Sequence, residues 1–404
     1  MTNYSIQSYG AVGDGVTNDA AHIQAAITAA HNAGNGNTVT FPFYKVDGVT
    51  PAVYLVTSGI TYPSNITLQG ITHSGSLPHV KCTSGGTIFK NTDTVNGNTN
   101  ATIDSIYMDC NGSGIGIEAF VQGPAYTGVY TACSNMTFSN NYIYNCTLGI
   151  NPWIQGLWAY PDLSYLTNIN ILNNTINTVS NKSIELSATI NSTVSGNTIS
   201  ACAAGIQMLY WANNNTISNN IINSAIGGAE GLIAAHGSSG NLFTGNTVTV
   251  PGPQIELKVD ATAIDSVTAD NVFENNTFTS SQPAVQGILL NCNANTQFTN
   301  NIIRNNVFVG VPFSVRTQNA STSKVVVTGL LIYNNDFQSI PSNRPLYIGS
   351  GAGENTADSF FTDIRVYNNT FSANGSISKQ SKLGCIYLNN NTYKANGQPV
   401  TVTG

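Results

Sequence analysis

Charged residues make up only 8% of this chain, so an ionisable side chain inside a strand-like stretch is conspicuous. Glu118, Glu185 and Glu256 each follow an isoleucine (Ile117, Ile184, Ile255) that reads as the inward residue of a short strand. Alternation along a strand turns the next side chain outward. Stacked strand on strand, the outward column reads Glu118, Asn151, Glu185, Gln207, Ala234, Glu256 and Leu289. Glu118 and Glu185 would then stand two strands, about 9.6 Å, apart. That is near the upper end of the ~6.5–9.5 Å between acid and base in an inverting glycoside hydrolase. Lys258 and Asp260 alternate with Glu256 and share its side, and His236 falls beside Lys258 in the alignment. A carboxylate beside an ammonium can serve general acid–base catalysis or be a surface ion pair, and both readings stay open.

Aromatic residues lie close to these candidates. Trp153 and Trp158, with Tyr160, occupy a long insertion after Ile150, and Tyr210 and Trp211 end the strand that starts at Ile206. Flat rings pack against the apolar C–H faces of sugars, or else fill a core. Arg316, in a strand over 313–316, would suit the carboxylate of an acidic sugar.

Bulk properties exclude several classes. The net charge is −6 and no Lys/Arg stripe occurs, which argues against a nucleic-acid partner. No apolar run reaches the ~18 residues that suggest a membrane span. Seven cysteines without a Cys-x-x-Cys pair argue against a zinc site and a disulfide framework. Cys146 and Cys202 read as buried interior positions two rungs apart. Gly13, Asp14, Gly15 and Asp19 lack calcium-loop spacing and read as a turn and a helix cap. No metal and no cofactor are expected. The chain opens without the basic-then-apolar pattern of a secretory leader, which points to a trimmed or particle-borne protein.

What must position these residues is a repeat. An apolar residue, a spacer, a small polar residue, Asn, a spacer and an apolar residue recur ten times, at intervals of 22 to 34 residues. Asn141, Asn174, Asn197, Asn220, Asn246, Asn276, Asn306, Asn335, Asn369 and Asn391 hold one place in every copy. Asn tolerates the left-handed backbone of a sharp turn, and stacked Asn side chains can bond to the rungs above and below. The pattern predicts an all-β chain, a right-handed single-stranded parallel β-helix of about 10–12 rungs. Residues 19–32 read as a helix with Ile23, Ala26, Ile27 and Ala30 on one face, capped by Asn18 or Asp19, closing the open N-terminal end. Residues 1–60 would form this cap and the first strands, and residues 61–404 the β-helix, as one domain.

The stretch YGAVGDGVTNDAAHIQAAI (9–27), followed by NTVTFPF (37–43), resembles the opening of the pectate-lyase-like β-helix superfamily of pectin- and rhamnogalacturonan-active enzymes and phage tailspikes. The Asn-rich rungs extend the likeness over most of the chain. The resemblance implies the fold and a polysaccharide, outside a cell or on a virion, and for tailspikes a homotrimer. Family site residues do not carry over. Ala235-His236-Gly237 stands where polygalacturonases have Gly-His-Gly, without their aspartate pair, and the aspartate cluster of pectate lyases is missing. The expected function is therefore a glycoside hydrolase or polysaccharide lyase, most simply a tailspike-type depolymerase. The alternatives are a secreted pectin- or uronan-active enzyme and a non-enzymatic glycan-binding or structural spike.

Overall fold

Short runs of β-branched and aromatic residues, broken every few positions by Asn or Gly, form strands too short to stand alone. They are stabilised by stacking in parallel on their equivalents in the next repeat. A computed structural model describes residues 3–34, 36–122, 132–155, 165–259, 266–280, 287–292, 296–319, 325–340, 346–350, 360–373, 379–381 and 386–400. These fall into two compact units, one reaching Cys202 and the other starting at Ala203. Both are built as the right-handed parallel β-helix predicted from the repeat.

In the first unit each rung visits three faces. On the first face, Asn37–Pro42 pairs with Ile66–Ile71, which pairs with Ala101–Asp104, then Ser134–Ser139 and Leu166–Leu172. The second face stacks Val53–Val56, His79–Cys82, Tyr107–Asp109, Tyr142–Cys146 and the start of Thr175–Ser187. The third stacks Ile60–Tyr62, Phe89–Asn91, Ile115–Gln122, Leu148–Gln155 and the end of Thr175–Ser187. The second unit repeats the plan. Its third face carries Glu230–Ala235, Ile255–Val259, Ile288–Cys292, Ser314–Asn319 and Leu346–Ser350 in parallel register.

Inward residues stack by kind. Phe278, Phe308, Phe337 and Phe371 lie ring on ring at 4.9, 4.5 and 5.0 Å between successive centroids. Such offset stacking adds to the burial of each ring. Cys82, Cys110, Cys133, Cys146 and Cys202 are buried and in no disulfide.

The Asn column forms a ladder, and the division of labour in the turn differs from the prediction. The left-handed residue is the one before the column: Asn140, Asn173, Asn219, Asn275, Asn305, Asn334 and Asn368 have φ between 54° and 56°, and Gly196 and Gly245 have φ of 69° and 66°. The column itself is buried. Asn306 Nδ2 donates to Asn335 Oδ1 (3.0 Å) and Phe273 O (2.8 Å), while its Oδ1 accepts from the Asn276 backbone N–H (2.9 Å) and Nδ2 (3.0 Å). Only an amide of this length donates and accepts in this way, so that column is uniformly Asn while the preceding one admits Gly. A second ladder, Asn215 to Asn241 to Asn271 to Asn301, runs through another turn of the second unit.

The helix spans Ala20–Asn32 and buries Ala20, Ile23, Ala26, Ile27 and Ala30. Asp19 sits at its N-cap, but its carboxylate accepts from the backbone N–H of Val12 (2.7 Å) and Gly13 (3.0 Å), holding the preceding loop. Asn18 Oδ1 takes the Ala20 N–H at 3.2 Å. At the far end, Asn37 Nδ2 satisfies the carbonyls of Ala30 (2.8 Å) and Gly34 (3.0 Å).

Candidate functional site

The outward side chains of the third face include the sequence candidates in both units. In the first unit the predicted column is correct. Glu118 pairs with Asn151, and Ile150 pairs with Ile184, which sets Glu185 beside Asn151. The acidic row is nevertheless not an open one. Glu118 is 4% exposed. Its Oε1 accepts from the Trp153 indole (2.7 Å), and its Oε2 meets Lys90 Nζ (3.4 Å) and the Thr87 hydroxyl (3.2 Å). Trp153 also packs its ring on Phe120, centroids 4.8 Å apart. Glu118, buried, and Trp153, half-buried, are thus brought together as a hydrogen-bonded pair. Glu185 binds Lys182 at 3.1 Å, and among the described residues the buried Asn151 Oδ1 between the two glutamates has no hydrogen-bond partner. Trp158 and Tyr160 lie outside the described residues.

The second unit departs from the predicted register by one residue. Leu232, not Ile233, joins Ile206 and Ile255 in the inward column. Ile233 takes the outward place between Gln207 and Glu256 that was assigned to Ala234, and Ala235 takes the place beside Lys258 that was assigned to His236. His236 instead forms the corner after the strand, with φ of 51° and no exposed surface. Its ring lies 4.7 Å from that of Tyr210. Tyr210 and Trp211, both half-buried, turn the previous rung, and Tyr210 packs against the cluster of Ala204, Leu209, Ile233 and Ala235. Arg316 occupies the Glu256 column two strands on, through Leu289. Asp260 lies outside the described residues.

Glu256 is the most perturbed group on this face. It is fully buried. Asn291 Nδ2 donates to its Oε1 at 2.9 Å, while among the described residues no donor reaches Oε2. The carboxyl of Glu230, on the adjacent strand, lies against it. Burial, and after it the charge of Glu230, push the Glu256 carboxyl up to about 7, against the opposing pull of Lys258 and Asn291. A buried carboxyl raised in this way can hold a transferable proton near neutral pH. Glu230 is half-buried and is the member nearer to solvent. Sequence reasoning missed it because a column that enters this strand at Ile233 leaves Glu230 outside it. The available signal was a rare acidic residue just before a third-face strand. Among the described residues, no three His, Cys, Asp or Glu side chains gather as a metal site would require.

Residues 4–230 match the family described as rhamnogalacturonase A/epimerase, pectate lyase-like. A curated relative, the mannuronan C5-epimerase AlgE1 of Azotobacter vinelandii, is 54% identical over 48 residues, a stretch that spans 11% of this chain and 3% of that protein. Among solved structures, the A-module of the A. vinelandii mannuronan C-5 epimerase AlgE4 superposes with a TM-score of 0.61 at 18% identity, covering 100% of this chain and 98% of that one. A tailspike mutant of E. coli bacteriophage HK620, in complex with a pentasaccharide, gives 0.55 at 13% identity, covering 97% of this chain and 80% of that one. At these identities the structural likeness speaks for the fold.

Proposed function

The chain belongs to the rhamnogalacturonase A/epimerase, pectate lyase-like family, and from that premise we propose that it is a polysaccharide-degrading enzyme, a glycoside hydrolase whose proton-transfer centre is the Glu230–Glu256 pair. The observation that carries the proposal is the contact of these two carboxyls on the third face, with Glu256 raised to about 7. A general acid works best when its pKa lies near the working pH.

In this reading Glu230 meets the scissile bond. It delivers the shared proton to the glycosidic oxygen as the C1–O bond breaks. Water then bonds to C1 and returns a proton to the carboxyl pair, which restores the starting state. Glu256, fully buried, is a positioning residue that acts through Glu230. Lys258 lowers the cost of the ionised state of the pair. The substrate is a polysaccharide at a cell surface, and the protein works outside a cell or on a virion. The likeness to the mannuronan C5-epimerase AlgE1 and to the pentasaccharide-bound HK620 tailspike supports that setting.

The test is incubation with a panel of neutral and uronate-containing polysaccharides, following reducing ends, unsaturated-uronate absorbance and monomer composition together. Reducing ends without unsaturation are expected. Unsaturated products would replace hydrolysis with elimination, and altered composition without chain cleavage would replace it with epimerisation. Binding without any reaction would leave a glycan-binding spike.

A further inference from the structure

Left-handed corners among the described residues are mostly Asn or Gly, with a Ser, Thr, Ala or Asp at Ser74, Ser105, Thr178, Ala188, Ala201, Asp270, Ser339 and Asp363, yet at one place they are filled by rings. Among the described residues, the aromatic side chains with positive φ are Tyr210 (43°), Trp211 (57°) and His236 (51°). All three sit at adjoining corners of neighbouring rungs in the second unit. A bulky residue is disfavoured in that conformation, and a chain that has Asn available for the purpose gains nothing in backbone energy from Tyr or Trp. Strained corners of this kind persist where the side chain is needed.

We propose that this corner is a sugar-binding subsite that takes the C–H face of one pyranose unit, and that Gly237 is the position that allows Trp211 to form it. The inference rests on the glycan reading above. Trp211 N–H donates to His236 O at 3.2 Å, and His236 N–H donates to Lys258 O at 2.8 Å, so the corner is fastened to the strand that carries Glu256 and Lys258. Tyr210 packs against the cluster that holds Ile233, the register neighbour of Glu256. The Trp211 indole lies on the bare Cα of Gly237. A Cβ there would fall 2.7 Å from Trp211 Nε1 and 2.9 Å from its Cδ1, and the φ of 82° favours glycine independently. Gly237 N–H is held by the buried Thr268 hydroxyl at 3.1 Å, so the backbone cannot yield and the indole would have to move. The ring is half-buried.

The experiment is affinity electrophoresis of the whole chain through gels containing each polysaccharide of the panel, followed by titration with the one that retards it most. Trp211→Ala and Gly237→Ala should raise the dissociation constant and KM by about tenfold, with kcat changed by less than about threefold. Trp211→Tyr should restore binding to within about threefold of the parent, a rescue that general loosening of the corner would not give. Binding by folded Trp211→Ala equal to that of the parent overturns the subsite, as does failure of Trp211→Tyr to rescue a folded Trp211→Ala defect. Should Gly237→Ala fail to fold, the Trp211 series decides alone. Loss of activity in Glu230→Gln with binding retained upholds the catalytic pair separately. Normal activity in Glu230→Gln, with binding lost in Trp211→Ala, removes the pair and keeps the subsite. A parent chain retarded by no polysaccharide overturns both.

Discussion

Glu256 lies against the carboxyl of Glu230 on the adjacent strand, without solvent exposure, and among the described residues no donor reaches its Oε2. A buried acid of this kind reports on itself through pH. Its ordinary value of 4.5 is raised to about 7 in the folded chain. The folded state therefore holds the proton more tightly than the unfolded state. The stabilisation is complete below the unfolded pKa and is lost as pH rises through the folded one. Across that window stability should fall by about 3 kcal/mol on account of this group. Glu256→Gln should remove that part of the slope, so urea unfolding at about pH 5 and about pH 8 should show the variant gaining on the parent at the higher pH. Parallel slopes would mean that Glu256 ionises normally.

Glu118 gives the opposite expectation. All its partners are in place, Trp153, Lys90 and Thr87 among them, and it has the character of a structural ion pair. Glu118→Gln should leave the rate on any substrate within about threefold while weakening a charge-assisted bond worth about 1–3 kcal/mol. Thermal unfolding should shift downward. Abolished activity with an unchanged melting curve would return Glu118 to the reaction.

Asn306 stands in the middle of a ladder and joins four hydrogen bonds. Asn306→Ala would strand buried donors and acceptors on both neighbouring rungs, at about 1–3 kcal/mol for each group left unpaired. Asn306→Asp should be little better, because its second oxygen faces carbonyl acceptors. Denaturant unfolding should show losses of about 3–5 kcal/mol for both. A loss below about 1 kcal/mol in Asn306→Ala would show that the ladder is incidental to stability.

The fold was legible because its signal is dictated by the backbone. A turn that repeats in every rung needs the same amide each time, and Asn141 through Asn391 record that need directly. The predicted helix over 19–32 agrees with Ala20–Asn32 because its apolar spacing is a local property. The site was less legible, for two reasons. At Gly231 the strand is entered one residue earlier than Ile233 suggested, and a slip of one exchanges the two sides of a strand. Ile233 therefore faces outward, His236 became a corner, and Glu230 was overlooked. Alternation also tells which side a residue faces but not what covers that side. Glu118 does face outward, and is buried all the same.

The central claim is that the Glu230–Glu256 pair moves the proton in glycosidic bond cleavage. Its most direct test is the single-turnover rate of Glu230→Gln on the polysaccharide that the parent cleaves. The predicted result is a fall of about 10²–10⁴-fold, the usual share of a general acid–base group, with the folded state and glycan binding retained. A rate within about threefold of the parent would contradict the claim and move the chemistry elsewhere on the chain.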